Sequence, residues 1–186
     1  RIGAPVDYRL VEDLADNPGN YKMYLFTNSL LNDPSVSRAV KKLREKDCMI
    51  VWTYAPGYVS YTGNSVSSMK ELTGMEFERC PDGMDSKIIC ADGTIRGGTG
   101  HPVSPLFRVK GEIEVLGRYD NGDCAFASAK TGRAQSVFYG SYYIELPVLR
   151  YLAKRAGVHV YSDTTDPIEA NENFVTMHAR FAGKKT

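Results

Sequence analysis

Two short apolar and aromatic runs constrain this chain more than any other feature: Tyr21-Lys22-Met23-Tyr24-Leu25-Phe26 and Cys48-Met49-Ile50-Val51-Trp52-Thr53-Tyr54. A strand with one wet face alternates polar and apolar residues. A run without that alternation has to be covered on both faces. Between the runs, Asn32-Asp33-Pro34-Ser35 is a helix start with proline in the first turn. Val36, Val40 and Leu43 then recur at helical spacing, with Lys41, Lys42, Arg44, Glu45 and Lys46 on the wet side. Strand, helix and strand within about thirty residues is the pattern of a parallel crossover. The sequence therefore predicts an α/β fold of flavodoxin-like, three-layer type, with a mostly parallel sheet and helices on both faces.

Val6 to Leu14 carries helical spacing, and Ser65 to Leu72 predicts a short helix closed by Gly74. Residues 76–110 are broken by glycines and prolines and predict a β-rich insertion of hairpins and loops. Glu112–Tyr119, Cys124–Lys130 and Ala134–Tyr139 predict three strands, with turns at Asp120-Asn121-Gly122-Asp123 and Thr131-Gly132-Arg133. Pro147–Ala156 predicts a helix, Val158–Tyr161 a further core strand of the parallel sheet, and Asn173–His178 a final strand. The chain opens on Arg1 and stops at Lys184-Lys185-Thr186, so the expectation is one domain over residues 1–186, cut from a longer protein.

Charge excludes two partner classes. Lys plus Arg total 23 against 22 Asp plus Glu, a net charge of +1, which gives no field to gather nucleic acid. No apolar run approaches the roughly 20 residues of a membrane span. Neither nucleic acid nor membrane is an expected partner. The four cysteines, Cys48, Cys80, Cys90 and Cys124, form no CxxC or CxxH pair. Cys80 and Cys90 flank a Pro81-Asp82-Gly83 turn signal and are placed to face each other across a hairpin. Composition favours reduced thiols and a cytosolic chain, with a secreted or periplasmic parent left open.

Several local motifs invite chemistry. Ser60-Tyr61-Thr62-Gly63-Asn64-Ser65 resembles a flavodoxin phosphate loop, yet it follows a later strand than in flavodoxins, and the same residues are ordinary turn and cap material. A class I amidotransferase needs a cysteine on a strand-to-helix elbow and a late His-x-Glu. The elbow here is Ala55-Pro56-Gly57-Tyr58, and His159 is followed by Val160-Tyr161. Neither glutaminase activity nor any cofactor is expected. Asp163, Asp166, Glu169 and Glu172 are dense enough for the two carboxyls of a glycosidase, or simply decorate the loop around Asp166-Pro167. His101, His159 and His178 are too scattered for a metal site.

The chain resembles a known family at several points. Gly3-Ala4-Pro5-Val6-Asp7, Tyr21 to Asn28, Val51 to Tyr58 and Met69 to Gly74 look like the amidotransferase-like domain of large bacterial β-galactosidase-type glycoside hydrolases. The stretch from Leu149 to Tyr161 carries the most specific likeness. That domain is related to the β-galactosidase trimerisation domain and follows a TIM barrel bearing the catalytic acids. The resemblance implies a non-catalytic accessory or oligomerisation role, with the barrel of the parent chain and a second copy as partners. No catalytic residue carries over.

The rival reading is carbohydrate recognition at the carboxyl ends of the strands, where open α/β sheets place their crevice. Trp52, Tyr54, Tyr58 and Tyr61 would supply flat apolar faces, with Asn28 and Asn64 as polar partners. A cryptic hydrolase built on the late acids is the third reading.

Overall fold

The computed structural model describes residues 2–171 and 173–184. Along the chain run α1 (Val11–Asp16), β1 (Met23–Phe26), α2 (Pro34–Leu43), β2 (Met49–Thr53), β3 (Val59–Ser60), β4 (Gly63–Asn64) and α3 (Val66–Thr73). They are followed by β5 (Glu76–Arg79), β6 (Ile88–Cys90), β7 (Ile95–Arg96), β8 (Phe107–Lys110), β9 (Glu114–Tyr119), β10 (Cys124–Thr131) and β11 (Ala134–Tyr139). The chain closes with α4 (Leu146–Arg155), β12 (Ile168–Ala170) and β13 (Val175–Met177). Two compact units result, a larger one of Leu10–Ile144 and a smaller one of Arg1–Arg9 with Glu145–Thr186.

A seven-stranded mixed sheet in the order β1-β2-β11-β10-β9-β6-β7 forms the larger unit's backbone. The crossover predicted from the two apolar runs is present: β1 and β2 pair in parallel, with Met23 opposite Met49 and Phe26 opposite Trp52. Asp33 caps α2 by accepting from the Ser35 N–H at 2.7 Å, and Pro34 fills its first turn. Val36, Ala39, Val40 and Leu43 of α2 join Leu14 of α1 and Met69 and Leu72 of α3 over one sheet face, against Tyr24, Phe26, Ile50, Trp52, Ala127 and Phe138. Every residue of β2 is buried, as its unalternating sequence requires.

Two expectations of the fold are overturned, and two more are refined. The sheet is not mostly parallel. Only β1–β2 and β2–β11 are parallel pairs; β11, β10, β9, β6 and β7 run antiparallel in succession. The cause is local turn chemistry. Gly132 at φ +63 lets Thr131 pair directly with Ala134, and the Asp120–Gly122 loop returns β9 onto β10 in the same way. Residues 76–110 are also more regular than expected, since β6 and β7 extend the main sheet while β5 and β8 form a two-stranded sheet of their own.

The second correction concerns Val158–Tyr161, which is not a strand. Gly157 at φ +72 ends α4 in a left-handed turn; its N–H bonds the Lys154 carbonyl, and the Val158 N–H bonds that of Ala153 at 2.8 Å. Val158 is thereby used to satisfy a helix end. The next backbone hydrogen bond runs from the Tyr161 N–H to the Gly3 carbonyl. The first helix is also shorter than the Val6–Leu14 spacing implied. It begins at Val11, where Glu12 and Asp13 occupy the first turn and favour the positive helix end.

Candidate functional site

The three parallel strands end at one level. Thr53 lies opposite Tyr139 in the register, and the Tyr54 N–H bonds the Tyr139 carbonyl at 2.9 Å. Just past this line, Asn28 and Tyr54 adopt φ +56 and +62, the only non-glycine residues in the left-handed region among those described. Asparagine tolerates that conformation; an aromatic residue there costs roughly 1–2 kcal/mol. The two exits are then stitched together. The Gly57 N–H donates to the Ser29 carbonyl at 2.7 Å, Val59 to Leu30 at 2.9 Å, and Asn32 to Val59 at 2.7 Å. The sharp exit from β2 therefore pivots on Tyr54 as well as on Gly57, which has φ +68.

Four aromatic rings line this crest. Tyr58 is half-buried with its ring 4.7 Å from Phe107; Tyr54 lies 6.4 Å from Phe107 and 6.3 Å from Tyr142, edge-on to both. Burial raises the Tyr54 phenol above its ordinary pKa, with Tyr58 adding to the effect, so it is a neutral hydroxyl. Tyr142 keeps 46% of its surface exposed, and Tyr143 beside it is also exposed.

The other expected site residues divide. Trp52 is fully buried, stacked on Phe26 at 4.6 Å, with its indole N–H donated to Ser136 Oγ at 3.1 Å. It offers no face to a ligand: a continuous apolar strand buries both its sides, and Trp52 points into the helix-covered one. Tyr61 and Asn64 are exposed on the β3–β4 hairpin. There the phosphate-type loop is closed on itself, with Ser60 Oγ donating to the Gly63 carbonyl at 2.6 Å and accepting from the Thr62 N–H. Ser65 caps α3 through the Ser67 N–H.

Tyr142 and Tyr143 were not among the expected site residues. The signal was present, since Gly140-Ser141-Tyr142-Tyr143 directly follows an apolar strand. It was hidden because the three central strands read as a hairpin series. That series does not show that β11 runs parallel to β2 and ends at the same edge.

A glycine-rich strap borders this edge. Ser141 is buried, with its Oγ 3.3 Å from that of Ser86, and Gly97 approaches both residues. Asp85 fixes the strap by accepting from the Thr99 N–H at 2.8 Å, the Thr99 hydroxyl at 3.2 Å and the Gly100 N–H at 3.1 Å. Desolvation pushes the Asp85 carboxyl upward, but these bonds and one from the Ser86 N–H outweigh it and hold the pKa below the ordinary 3.8. A carboxylate with a depressed folded pKa stabilises above its unfolded value and loses that contribution as pH falls through the folded one. Protection of the amides at residues 97–101, the slowing of exchange relative to an unstructured chain at the same pH, is therefore expected to fall below about pH 4 in the native chain. In Asp85→Asn it should be low already at neutral pH. Protection that is equal at both pH values, and unchanged in Asp85→Asn, would show that Asp85 does not hold the strap.

Among the described residues the late acids do not converge. Asp163 pairs with Lys154 at 3.1 Å. Asp166 is buried, accepting from the Thr164 hydroxyl at 2.8 Å and the Arg180 N–H at 2.9 Å. Glu169 is exposed on β12, and Glu172 lies outside the described residues. Arg150 bonds the carbonyls of Ile2, Asp163 and Thr164, so this loop serves the smaller unit's own structure. His101, His159 and His178 are all exposed, and no cluster of three His, Cys, Asp or Glu able to hold a metal occurs among the described residues. None of the four cysteines is in a disulfide, and burial pushes Cys48 and Cys80 up to about 11, far from thiolate chemistry.

No family model matches the chain, and no characterised protein matches its sequence. Solved structures do share its fold. A β-galactosidase from Bacillus circulans sp. alkalophilus superposes over 80% of this chain and 25% of its own, with a TM-score of 0.55 and 18% identity. A GH42 β-galactosidase from G. stearothermophilus gives 86%, 25%, 0.55 and 16% in the same order. A β-galactosidase from the psychrophilic Marinomonas ef1 gives 83%, 24%, 0.54 and 16%. This chain thus has the fold of a segment of these β-galactosidases and spans about a quarter of their length.

Proposed function

We propose that the chain is a non-catalytic accessory domain of a larger β-galactosidase-like glycoside hydrolase. The observation that carries this reading is the shared fold with a quarter-length segment of three β-galactosidases. In this reading the fold is flavodoxin-like and amidotransferase-like in descent. Its role is that of a trimerisation domain, packing on the parent's catalytic barrel and building contacts between copies. The chemistry of the residues supports it. The β2 exit from Tyr54 to Tyr58 carries no thiol for an amidotransferase, and Asp163 and Asp166 are engaged by Lys154, Thr164 and Arg180.

The test compares the parent enzyme with and without this domain, by light scattering and by hydrolysis of a nitrophenyl β-galactoside. Removing the domain should change the parent's oligomeric state. The isolated 186-residue chain should release neither nitrophenol from the galactoside nor ammonia from glutamine. Turnover by the isolated chain, or a parent whose assembly is indifferent to the domain, would overturn the reading.

A further inference from the structure

The residues at the ends of β1, β2 and β11 make a surface of distinct chemistry. Its flat apolar element is the exposed Tyr142 ring, held edge-on by Tyr54 at 6.3 Å. Its polar elements are the Asn28 carboxamide and the Tyr54 phenol, both carried on left-handed backbone at neighbouring strand ends. Asn28 is exposed, and its bonds among the described residues run through its main chain, to Thr53 Oγ1 and from the Leu30 N–H. Arg79 is the charged side chain whose field acts on Tyr54, and it is itself paired with Asp82 at 3.2 Å.

We infer that this crest binds a neutral saccharide ring, with Tyr142 against its apolar face and Asn28 and Tyr54 hydrogen-bonded to its hydroxyls. The assignment of class follows from the groups present. An anion would need an uncompensated cation or a convergence of free N–H groups, and the N–H groups here are spent on the stitched exits. A wholly apolar ligand would strand the carboxamide and the phenol against it. A pyranose has both an apolar face and a rim of hydroxyls, which matches a flat ring beside two uncharged polar groups. Left-handed backbone at a non-glycine residue is a feature that concentrates at binding and catalytic sites, and here it occurs where open α/β sheets place their ligands. The class stands on these residues alone; a preference for galactosides over other sugars rests on the accessory-domain reading.

The experiment is a titration of the isotope-labelled 186-residue chain with galactose, xylose and inorganic phosphate, read by amide chemical shifts. Sugar-dependent shifts are expected at Asn28, Tyr54 and residues 140–143, with none from phosphate. Tyr142→Ala should weaken binding roughly tenfold or more. So should Asn28→Gly, which keeps the left-handed backbone while removing the carboxamide. Both variants should melt where the native chain does. Shifts confined to other residues, no response to either sugar, a response to phosphate instead, or full affinity in both variants would each overturn the inference. Binding of xylose and galactose alike leaves the site standing and counts against the galactoside preference. A failure of the parent enzyme to depend on this domain would leave the titration untouched, so the two readings fail separately.

Discussion

Trp52→Ala is expected to destabilise the larger unit by about 3–5 kcal/mol, the range for truncating a large, fully buried aromatic side chain. The indole is enclosed between β1 and the helices, stacked on Phe26, and its N–H is bonded to the buried Ser136 hydroxyl. The substitution leaves a cavity in a layer shared by α2, α3 and the sheet, and it strands Ser136 without its donor. Trp52→Phe should recover most of the packing and lose mainly the hydrogen bond, a smaller deficit of about 1–2 kcal/mol. Urea midpoints of the three proteins decide the matter. A loss below about 1 kcal/mol for Trp52→Ala would mean that the indole is not a core element.

Gly57→Val carries the second large effect, about 2–4 kcal/mol, from two separable sources. Glycine accepts φ +68 without penalty, whereas a β-branched residue there is strained. A Cβ at this position would also stand 2.4 Å from Leu72 Cδ1 of α3, a buried side chain with little room to withdraw. Gly57→Ala tests the separation, because it meets the same contact with less strain around χ1. Combining it with Leu72→Ala should show strong coupling, the double variant being more stable than the sum of the singles implies. Additive losses would place the whole cost in the backbone. Tyr58→Ala belongs in the same series. Its ring packs on Phe107, so a moderate loss of about 1–2 kcal/mol is expected rather than the intact fold that an exposed tyrosine would give.

The parts of this fold written in local pattern were legible in the sequence. The unalternating β2 run announces a strand buried on both faces. Asp33-Pro34 and Ser65 announce helix starts, and Gly74 and Gly157 announce helix ends. What local pattern does not carry is which strand a hairpin series lies beside. Ala134–Tyr139 reads as the last member of an antiparallel run, and it is; it also pairs with β2, from which it is separated by about eighty residues of chain. That single non-local pairing joins the antiparallel run to the parallel pair in one mixed sheet and brings Tyr142 to the edge where β1 and β2 end. Val158–Tyr161 failed for the opposite reason. Its β-branched and aromatic residues suit a strand, but the adjoining helix end claims Val158 first.

The β2–β11 pairing also divides the larger unit by the order in which its contacts can form. On one side, β1, α2 and β2 close on each other through a single short crossover; on the other, β9, β10 and β11 close through turns of a few residues. Contacts between near neighbours in sequence form before distant ones, because less chain entropy is lost in closing them. Each side can therefore assemble by itself and leave one strand with an open edge, and the slow event is the meeting of those two edges. The seam falls between two nearly self-sufficient pieces, so a chain severed in the exposed turn around Pro81-Asp82-Gly83 keeps one docking edge on each fragment. Two such fragments, synthesised separately, hold what they need to find each other and rebuild the sheet.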